Sequence, residues 1–261
     1  MCSYFADPQG QPQTVNIDGT DDTSANFTIG EVAVTEENGI IMNYTITYTS
    51  LDWPDTNHTT VTANIPHTEA NLDIWNSYAV FPPSACLEPP ASSTSLLHYQ
   101  LTDLIPNTNY SFSVVACNQY GCGQTSNATT VVYAKTLPGI PVCFPNITLV
   151  ANISSESIRV KWLHLTHYCG YGDLVSYHVG ILDDEVYPQW IQNKSLIDFD
   201  SAPRVGTTTE DFIEFDGLKN YWRYSVFLIY ENVVGKGPIS DLFSAFTAED
   251  GMFILVLGIF F

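Results

Sequence analysis

The feature that most constrains this fold is a strand-and-turn pattern that occurs twice, 114 residues apart. In the first copy, apolar residues alternate with small or polar ones over positions 110–117, the periodicity of a β-strand with one buried face. Glycines then predict a tight turn. Five positions recur at the same offset: Leu104/Leu218, Tyr110/Tyr224, Asn118/Asn232, Gly121/Gly235 and Gly123/Gly237. The chain therefore contains an internal repeat.

The motif L-x-P-x-T-x-Y that ends at Tyr110, followed by N-x-x-G-x-G, resembles strands E to G of fibronectin type III domains. The resemblance implies an all-β fold of two tandem immunoglobulin-like, antiparallel β-sandwiches. It makes Tyr110 and Tyr224 corner tyrosines, whose hydroxyls bond the backbone of the corner before strand F. Trp162 becomes the core tryptophan of strand B in the second module, a position for which the first module has no tryptophan.

The domain organisation follows from this repeat. We expect a loose N-terminal segment at 1–12, a first module at 13–137, a proline-containing linker at 138–141, a second module at 142–249 and an apolar tail at 250–261. No helical periodicity is evident. The predicted strands are 14–18, 26–34, 38–50, 96–101, a strand from 110, and 129–135 in the first module, and 146–151, 157–163, 174–182, 212–215, 224–230 and 242–247 in the second.

Charge excludes several classes of partner. The net charge is −20, and no Lys or Arg precedes Lys135, whereas 13 of the 28 acidic residues do. Nucleic acids and heparin-like polyanions are bound through Lys and Arg, so they are poor candidates. An anionic membrane surface is excluded for the same reason.

Sequons and cysteines indicate a secreted protein. Six cysteines fit an oxidising compartment. We expect the pairs Cys117–Cys122, across the F–G turn, and Cys143–Cys169; Cys86 could compete for Cys117 or Cys122, and Cys2 has no evident mate. Asn43 and Asn109 each precede an inward-pointing tyrosine and should face solvent. The candidate glycosylation sites are Asn26, Asn43, Asn57, Asn109, Asn127, Asn146, Asn152 and Asn193.

The apolar tail from Met252 is too short to span a bilayer, which needs about 20 residues. It fits a truncated transmembrane helix, an altered C-terminal end or a lipid-anchor signal. Membrane association is therefore expected only through such an anchor.

The stretch between Leu51 and Ser95 is longer than the corresponding part of the second module, and long loops in compact domains often carry function. Its aromatic and proline residues make it the first candidate for a binding surface. The alternative is a covering flap with no partner.

No catalytic constellation is evident, and no cofactor is predicted. His164, His167 and Cys169 resemble an incomplete zinc site, and the acidic groups at 183–185 and 198–200 could bind calcium weakly. The sequence therefore predicts a non-enzymatic, extracellular or cell-surface module that binds or spaces proteins, with an unidentified protein partner. The alternatives are the ectodomain piece of a receptor tyrosine phosphatase or kinase, and a carbohydrate-binding accessory domain.

Overall fold

A computed structural model of the chain describes residues 11–30, 32, 41–52, 65–66, 96–118, 120–123, 131–165, 167–199, 202–248 and 255–257. The chain forms two compact units, Met1–Leu137 and Pro138–Phe261. All of the strand pairs described are antiparallel.

The described strands of the first unit form two sheets. One has the order β1-β2-β5, and the other has the order β4-β3-β6-β7 with β8 also paired to β6. The strands are β1 Val15–Thr20, β2 Ala25–Gly30, β3 Ile41–Ser50, β4 Ile65–Pro66, β5 Leu96–Leu101, β6 Asn109–Asn118, β7 Gly121–Cys122 and β8 Val131–Lys135.

The second unit also has two sheets, with the orders β13-β10-β9-β16 and β12-β11-β14-β15. Its strands are β9 Ile147–Ser154, β10 Ser157–Trp162, β11 Leu174–Asp183, β12 Val205–Thr208, β13 Phe212–Phe215, β14 Arg223–Asn232, β15 Phe243–Phe246 and β16 Leu255–Leu257. The short helices are α1 His167–Gly170 and α2 Pro188–Gln192, followed by a 3₁₀ turn at Lys194–Leu196.

Each unit is a sandwich because its two sheets share one apolar core. In the first unit, Phe27 of β2 and Phe112 of β6 are both buried, and their rings meet edge to face at 5.1 Å between centroids. In the second unit, Trp162 of β10 and Tyr177 of β11 meet in the same way at 5.3 Å. Apolar burial of this kind supplies the main driving force for folding. The chain thus consists of two tandem antiparallel β-sandwiches.

The corner that leads into the long strand of each unit is held by a tyrosine hydroxyl. The backbone N–H of Ile105 donates to Tyr110 Oη at 2.9 Å, and the N–H of Lys219 donates to Tyr224 Oη at 2.9 Å. Both rings are buried, so each hydroxyl satisfies a backbone donor that the turn leaves without a ladder partner.

A buried threonine completes each corner. Thr136 Oγ1 accepts from the N–H of Thr108 at 3.0 Å and donates to the carbonyl of Ile105 at 2.7 Å. Thr247 makes the same two bonds in the second unit, at 2.9 and 2.6 Å, with Trp222 and Lys219. Neither threonine belongs to the repeat found in the sequence, because the spacing from Tyr110 to Thr136 differs from that between Tyr224 and Thr247.

The missing strand-B tryptophan is explained by the register. Ala25 pairs with Leu101, and Ile158 pairs with Phe215. Leu101 and Phe215 each lie three residues before the corner leucine of their unit, so Ala25 and Ile158 hold equivalent positions. Since Ile29 and Trp162 each follow four residues later, Ile29 occupies the position of Trp162. The aromatic rings lie elsewhere in the first unit. Tyr48 contacts Tyr110 and Phe112 near the corner. The positions of Tyr48 and Phe112 in the second unit are held by Ile181 and Val226.

One face of the β12-β11-β14-β15 sheet is covered by a segment that the sequence did not predict. Residues 184–204 connect β11 to β12 and carry α2 and the 3₁₀ turn. Their side chains pack on Leu182, Phe227 and Ile229. A Cβ on Gly180 would lie 2.1 Å from the Phe227 ring, so only glycine fits beneath this aromatic.

Most predicted strands are present with ends shifted by one to three residues, and β5 and β13 have the predicted bounds. The second unit also contains the short helices α1 and α2 in its connections, which are too short to produce a helical periodicity in the sequence. Within the tail, Leu255–Leu257 forms a strand paired with β9 at Leu149–Ala151. No helix among the described residues is long and apolar enough to cross a membrane.

The corner bond gives a first prediction. Tyr224→Phe should lower the free energy of unfolding by about 1 kcal/mol, because the N–H of Lys219 loses its acceptor while the ring stays packed. Urea unfolding followed by far-UV circular dichroism measures the change. Tyr221→Phe is the control, since Tyr221 is 70% exposed. Equal effects of the two changes would contradict a structural role for the corner bond.

Candidate functional site

The β6–β7 hairpin presents the most distinctive loop of the first unit. Its last pairs are Cys117 with Cys122 and Asn118 with Gly121. Asn118 Oδ1 accepts from the N–H of Tyr120 at 2.8 Å and from that of Gly121 at 3.2 Å. The asparagine side chain therefore shapes the turn by replacing a backbone acceptor.

A disulfide closes this hairpin between Cys117 and Cys122. Cys117 is 5% exposed and Cys122 is exposed. The closed loop is short, so the chain-entropy model assigns it about 2 kcal/mol of stabilisation. Thr45 Oγ1 lies 3.4 Å from Cys117 Sγ, across the strand pair formed by β3 and β6.

The second unit builds the same turn without cysteines. Asn232 Oδ1 accepts from the N–H of Val234 at 2.8 Å and of Gly235 at 3.0 Å. Its Nδ2 donates to the carbonyls of Gly139 at 2.7 Å and Gly170 at 2.8 Å. The repeat had identified Asn118 and Asn232 as turn markers. The sequence carried no signal for this second, anchoring role of the Asn232 amide.

The residues at the start of the second unit are bound into it. The N–H of Gly139 donates to Tyr171 O at 2.9 Å, and a Cβ on Gly237 would lie 2.8 Å from Pro141 Cβ. Cys143 and Cys169, the latter in α1, are joined by a disulfide. Its longer loop corresponds to about 3.5 kcal/mol in the same entropy model.

A polar cluster lies on the face of β11 and β14 that residues 184–204 partly cover. His178 Nε2 is 2.6 Å from Glu231 Oε2, and Ser176 Oγ donates to the same oxygen at 3.0 Å. Thr207 Oγ1 is 3.3 Å from His178 Nδ1, and the Phe199 ring lies edge-on to the imidazole at 5.1 Å. The hydrogen bond from His178, together with that from Ser176, holds the pKa of Glu231 below its usual value against the opposing effect of burial.

This cluster combines a serine, a histidine and a glutamate but cannot activate the serine. In a hydrolytic triad the nucleophile and the acid bond opposite nitrogens of the imidazole. Here Ser176 and Glu231 both contact Nε2, so the proton-accepting position that a nucleophile needs is taken by the carboxylate. The arrangement is therefore structural.

A small cavity of about 170 Å³ lies beside β11. Tyr177 Oη is 2.7 Å from His164 Nδ1, and Tyr230 Oη donates to the carbonyl of Gly172 at 2.9 Å. Burial, and secondarily the nearby Tyr230, raise the pKa of Tyr177 to about 12, so its hydroxyl stays protonated at neutral pH. The volume is below the roughly 300 Å³ of ordinary ligand pockets.

The structure bears on only some of the residues considered for metal binding, since the His167 side chain and Asp200 lie outside the description. Among the residues that the structure describes, no group of three His, Cys, Asp or Glu side chains could hold an ion. Cys169 is disulfide-bonded, and Asp183 and Asp184 form salt bridges with Lys219 and Arg223.

The candidate glycosylation sites differ in exposure. Asn109, Asn146 and Asn193 are exposed, whereas Asn26 and Asn43 are half-buried. Asn57 and Asn127 lie outside the described residues, as do Cys2, Cys86 and the portions 53–64 and 67–95 of the long stretch proposed as a binding surface.

Asn152 is turned inward. It pairs with Ile158, which is fully buried, and directly opposed residues point to the same face of a sheet. Both polar atoms of its side chain are shielded from solvent and have no hydrogen-bond partner.

Comparison with known proteins defines the class of protein. Residues 10–132, which make up most of the first unit, match the family model for the Fibronectin type III domain. The chain is 26% identical over 249 residues to the cell adhesion molecule DSCAM of Gallus gallus, which covers 94% of this chain and 10% of the relative. It is 28% identical to the cell adhesion molecule Dscam1 of Drosophila melanogaster, over 58% of this chain and 7% of the relative.

Receptor phosphatases are similar over a shorter range. The receptor-type tyrosine-protein phosphatase F of Danio rerio is 26% identical over 58% of this chain and 7% of its own length. Among solved structures, chicken CNTN1 FN1–FN3 domains align with 94% of this chain and 69% of that one, at 18% identity and a TM-score of 0.34. The chain thus spans about a tenth or less of the length of these curated relatives.

The exposure differences predict glycan occupancy. In protein secreted from a eukaryotic host, we expect Asn109, Asn146 and Asn193 to carry glycans and Asn152 to remain unmodified, because its side chain faces the core. Peptide mass spectrometry after glycosidase treatment in heavy-oxygen water measures occupancy at each site. A high fraction of modified Asn152 in folded protein would contradict the inward orientation.

The His178–Glu231 pair predicts a pH dependence. Because the folded state lowers the pKa of Glu231, its contribution to stability is present above the unfolded value near 4.5 and is lost as pH falls through the lower, folded value. Glu231→Gln should therefore flatten the decline in unfolding free energy below about pH 5. Urea unfolding at a series of pH values measures this.

Glu210→Gln removes an exposed carboxylate from the same unit and serves as the matched control. If both variants changed the pH slope equally, the pair would not be the cause.

Proposed function

We propose that this chain is a non-catalytic, extracellular protein-interaction or spacer module of an adhesion or receptor-type protein. The observation that carries the proposal is similarity to cell adhesion molecules over 94% of the chain. The two disulfides support an oxidising, extracellular location. The geometry of the Ser176–His178–Glu231 cluster, which opposes nucleophile activation, supports a role other than catalysis.

Contact with a partner is assigned to the β6–β7 hairpin. Loops at the end of a rigid sandwich are common binding elements, and the disulfide reduces the entropy that this loop would lose on binding. Tyr120 lies at its tip and is 42% exposed, which suits an aromatic anchor. A protein with a basic surface is favoured as the partner, since the net charge is −20. Attachment to a membrane would come through an anchor outside the two sandwiches.

The ectodomain of a receptor tyrosine phosphatase is the second candidate. It is favoured by the similarity to receptor-type phosphatases of Danio rerio and Aedes aegypti. Sequencing of full-length transcripts distinguishes the two: an encoded cytoplasmic phosphatase domain supports the second candidate, and an adhesion protein without one supports the first.

The hairpin assignment predicts a mutational effect on binding. The chain with intact disulfides is screened against a panel of extracellular ectodomains, and affinity for the partner found is measured by surface plasmon resonance. Tyr120→Ser should weaken binding by about tenfold or more, the effect of removing an aromatic anchor.

Tyr133→Ser is the matched control, because Tyr133 is 69% exposed on β8, opposite Ser111 at the far end of β6. Equal losses for the two variants would place the contact elsewhere. Consistent failure to bind any ectodomain would leave spacing as the function.

A further inference from the structure

The Cys117–Cys122 disulfide has two unlike ends. Cys122 is exposed on β7, at the edge of its sheet, whereas Cys117 is 5% exposed at the next-to-last position of β6. Thiol–disulfide exchange requires a thiolate to reach one sulfur while the other sulfur leaves. Access therefore favours attack at Cys122, with Cys117 as the leaving group.

We propose that this disulfide is a thiol-exchange site, at which an external thiolate forms a mixed disulfide with Cys122 and releases Cys117. In this step a bond forms between the incoming sulfur and Cys122 Sγ. The Cys117–Cys122 bond breaks, and its electron pair leaves on Cys117 Sγ. A second thiolate of the same reagent can then attack the reagent sulfur of the mixed disulfide, and Cys122 Sγ leaves with the electron pair of the broken bond, which gives a protein dithiol and the disulfide of the reagent.

Thr45 is placed to assist the departure of Cys117. Its Oγ1 lies 3.4 Å from Cys117 Sγ and can donate a hydrogen bond to the sulfur as negative charge develops. In the second unit, the corresponding cross-strand neighbours are His178 and Glu231, which form the polar pair described above. A polar donor beside the leaving sulfur offsets the cost of placing a thiolate in a buried position.

The hairpin does not depend on the disulfide for its shape. Asn118 holds the turn through two backbone N–H groups, and the N–H of Gly123 donates to Ala116 O at 2.9 Å. The second unit makes the equivalent bonds without cysteines. Opening the bond therefore frees only a short loop, whereas opening Cys143–Cys169 frees one of 26 residues. Access favours the same bond, because Cys122 is exposed whereas Cys143 and Cys169 are both half-buried.

The test treats the folded, oxidised chain with reduced glutathione, followed by alkylation and peptide mass spectrometry. We expect glutathione to appear on Cys122 and alkylation on Cys117 while Cys143 and Cys169, which are half-buried and serve as the internal control, remain paired. An adduct mainly on Cys117, or opening of both disulfides at one rate, would overturn the proposal.

A variant pair isolates the role of Thr45. Thr45→Val should slow release of Cys117 by about three- to tenfold, the value of one hydrogen bond. Thr47→Val is the control, because Thr47 follows on the same face of β3 and pairs with Ser113. Far-UV circular dichroism and an intact Cys143–Cys169 bond verify folding of each variant. Equal rates for the two folded variants would remove Thr45 from the mechanism, and with it the assignment of Cys117 as the assisted leaving group.

Discussion

The hydrogen bond between a tyrosine hydroxyl and the backbone five residues earlier fixes the geometry on which both sandwiches depend. It sets the point at which the chain crosses from one sheet to the other, at Tyr110 and at Tyr224. From that point the long strand runs through the centre of its sheet and ends at an asparagine turn. Thr136, which follows β8, and Thr247, which follows β15, bind the ends of these strands to the same corner. The corner, the long strand and the turn therefore form one structural motif that occurs in both sandwiches.

Within this common frame, the two cores distribute aromatic volume differently. The first unit places Tyr48, Tyr110 and Phe112 together near the corner. The second places Tyr177 and Tyr230 near the turn, beside Trp162. Close packing requires side chains to fill the core volume, but it does not determine which strand positions carry the large aromatic side chains. The absence of a tryptophan from strand B of the first unit thus reflects a different packing solution on the same register.

The sequence was most informative where local periodicity and packing agree. Alternation predicted β6 and β14, and the repeat placed the turns at Asn118 and Asn232, since these features depend on neighbours in the chain. The covering segment 184–204 was missed because its helix is only five residues long and its apolar side chains meet Phe227 only in the folded state. Contacts such as Thr45 with Cys117 and His178 with Glu231 join residues more than 50 positions apart and follow from strand register, which no short pattern specifies.

The Cys143–Cys169 bond also has a mechanical consequence. A protein that links cells or spans a gap between them is subject to tension along its backbone, and an unfolding sandwich lengthens by the contour of the residues it releases. Cys143 and Cys169 are 26 positions apart in the sequence, and the covalent bond prevents the chain between them from extending. That segment would be about 90 Å long at full stretch. A pulled second unit would therefore extend in a shorter step, with the segment from β9 to α1 retained as a closed loop.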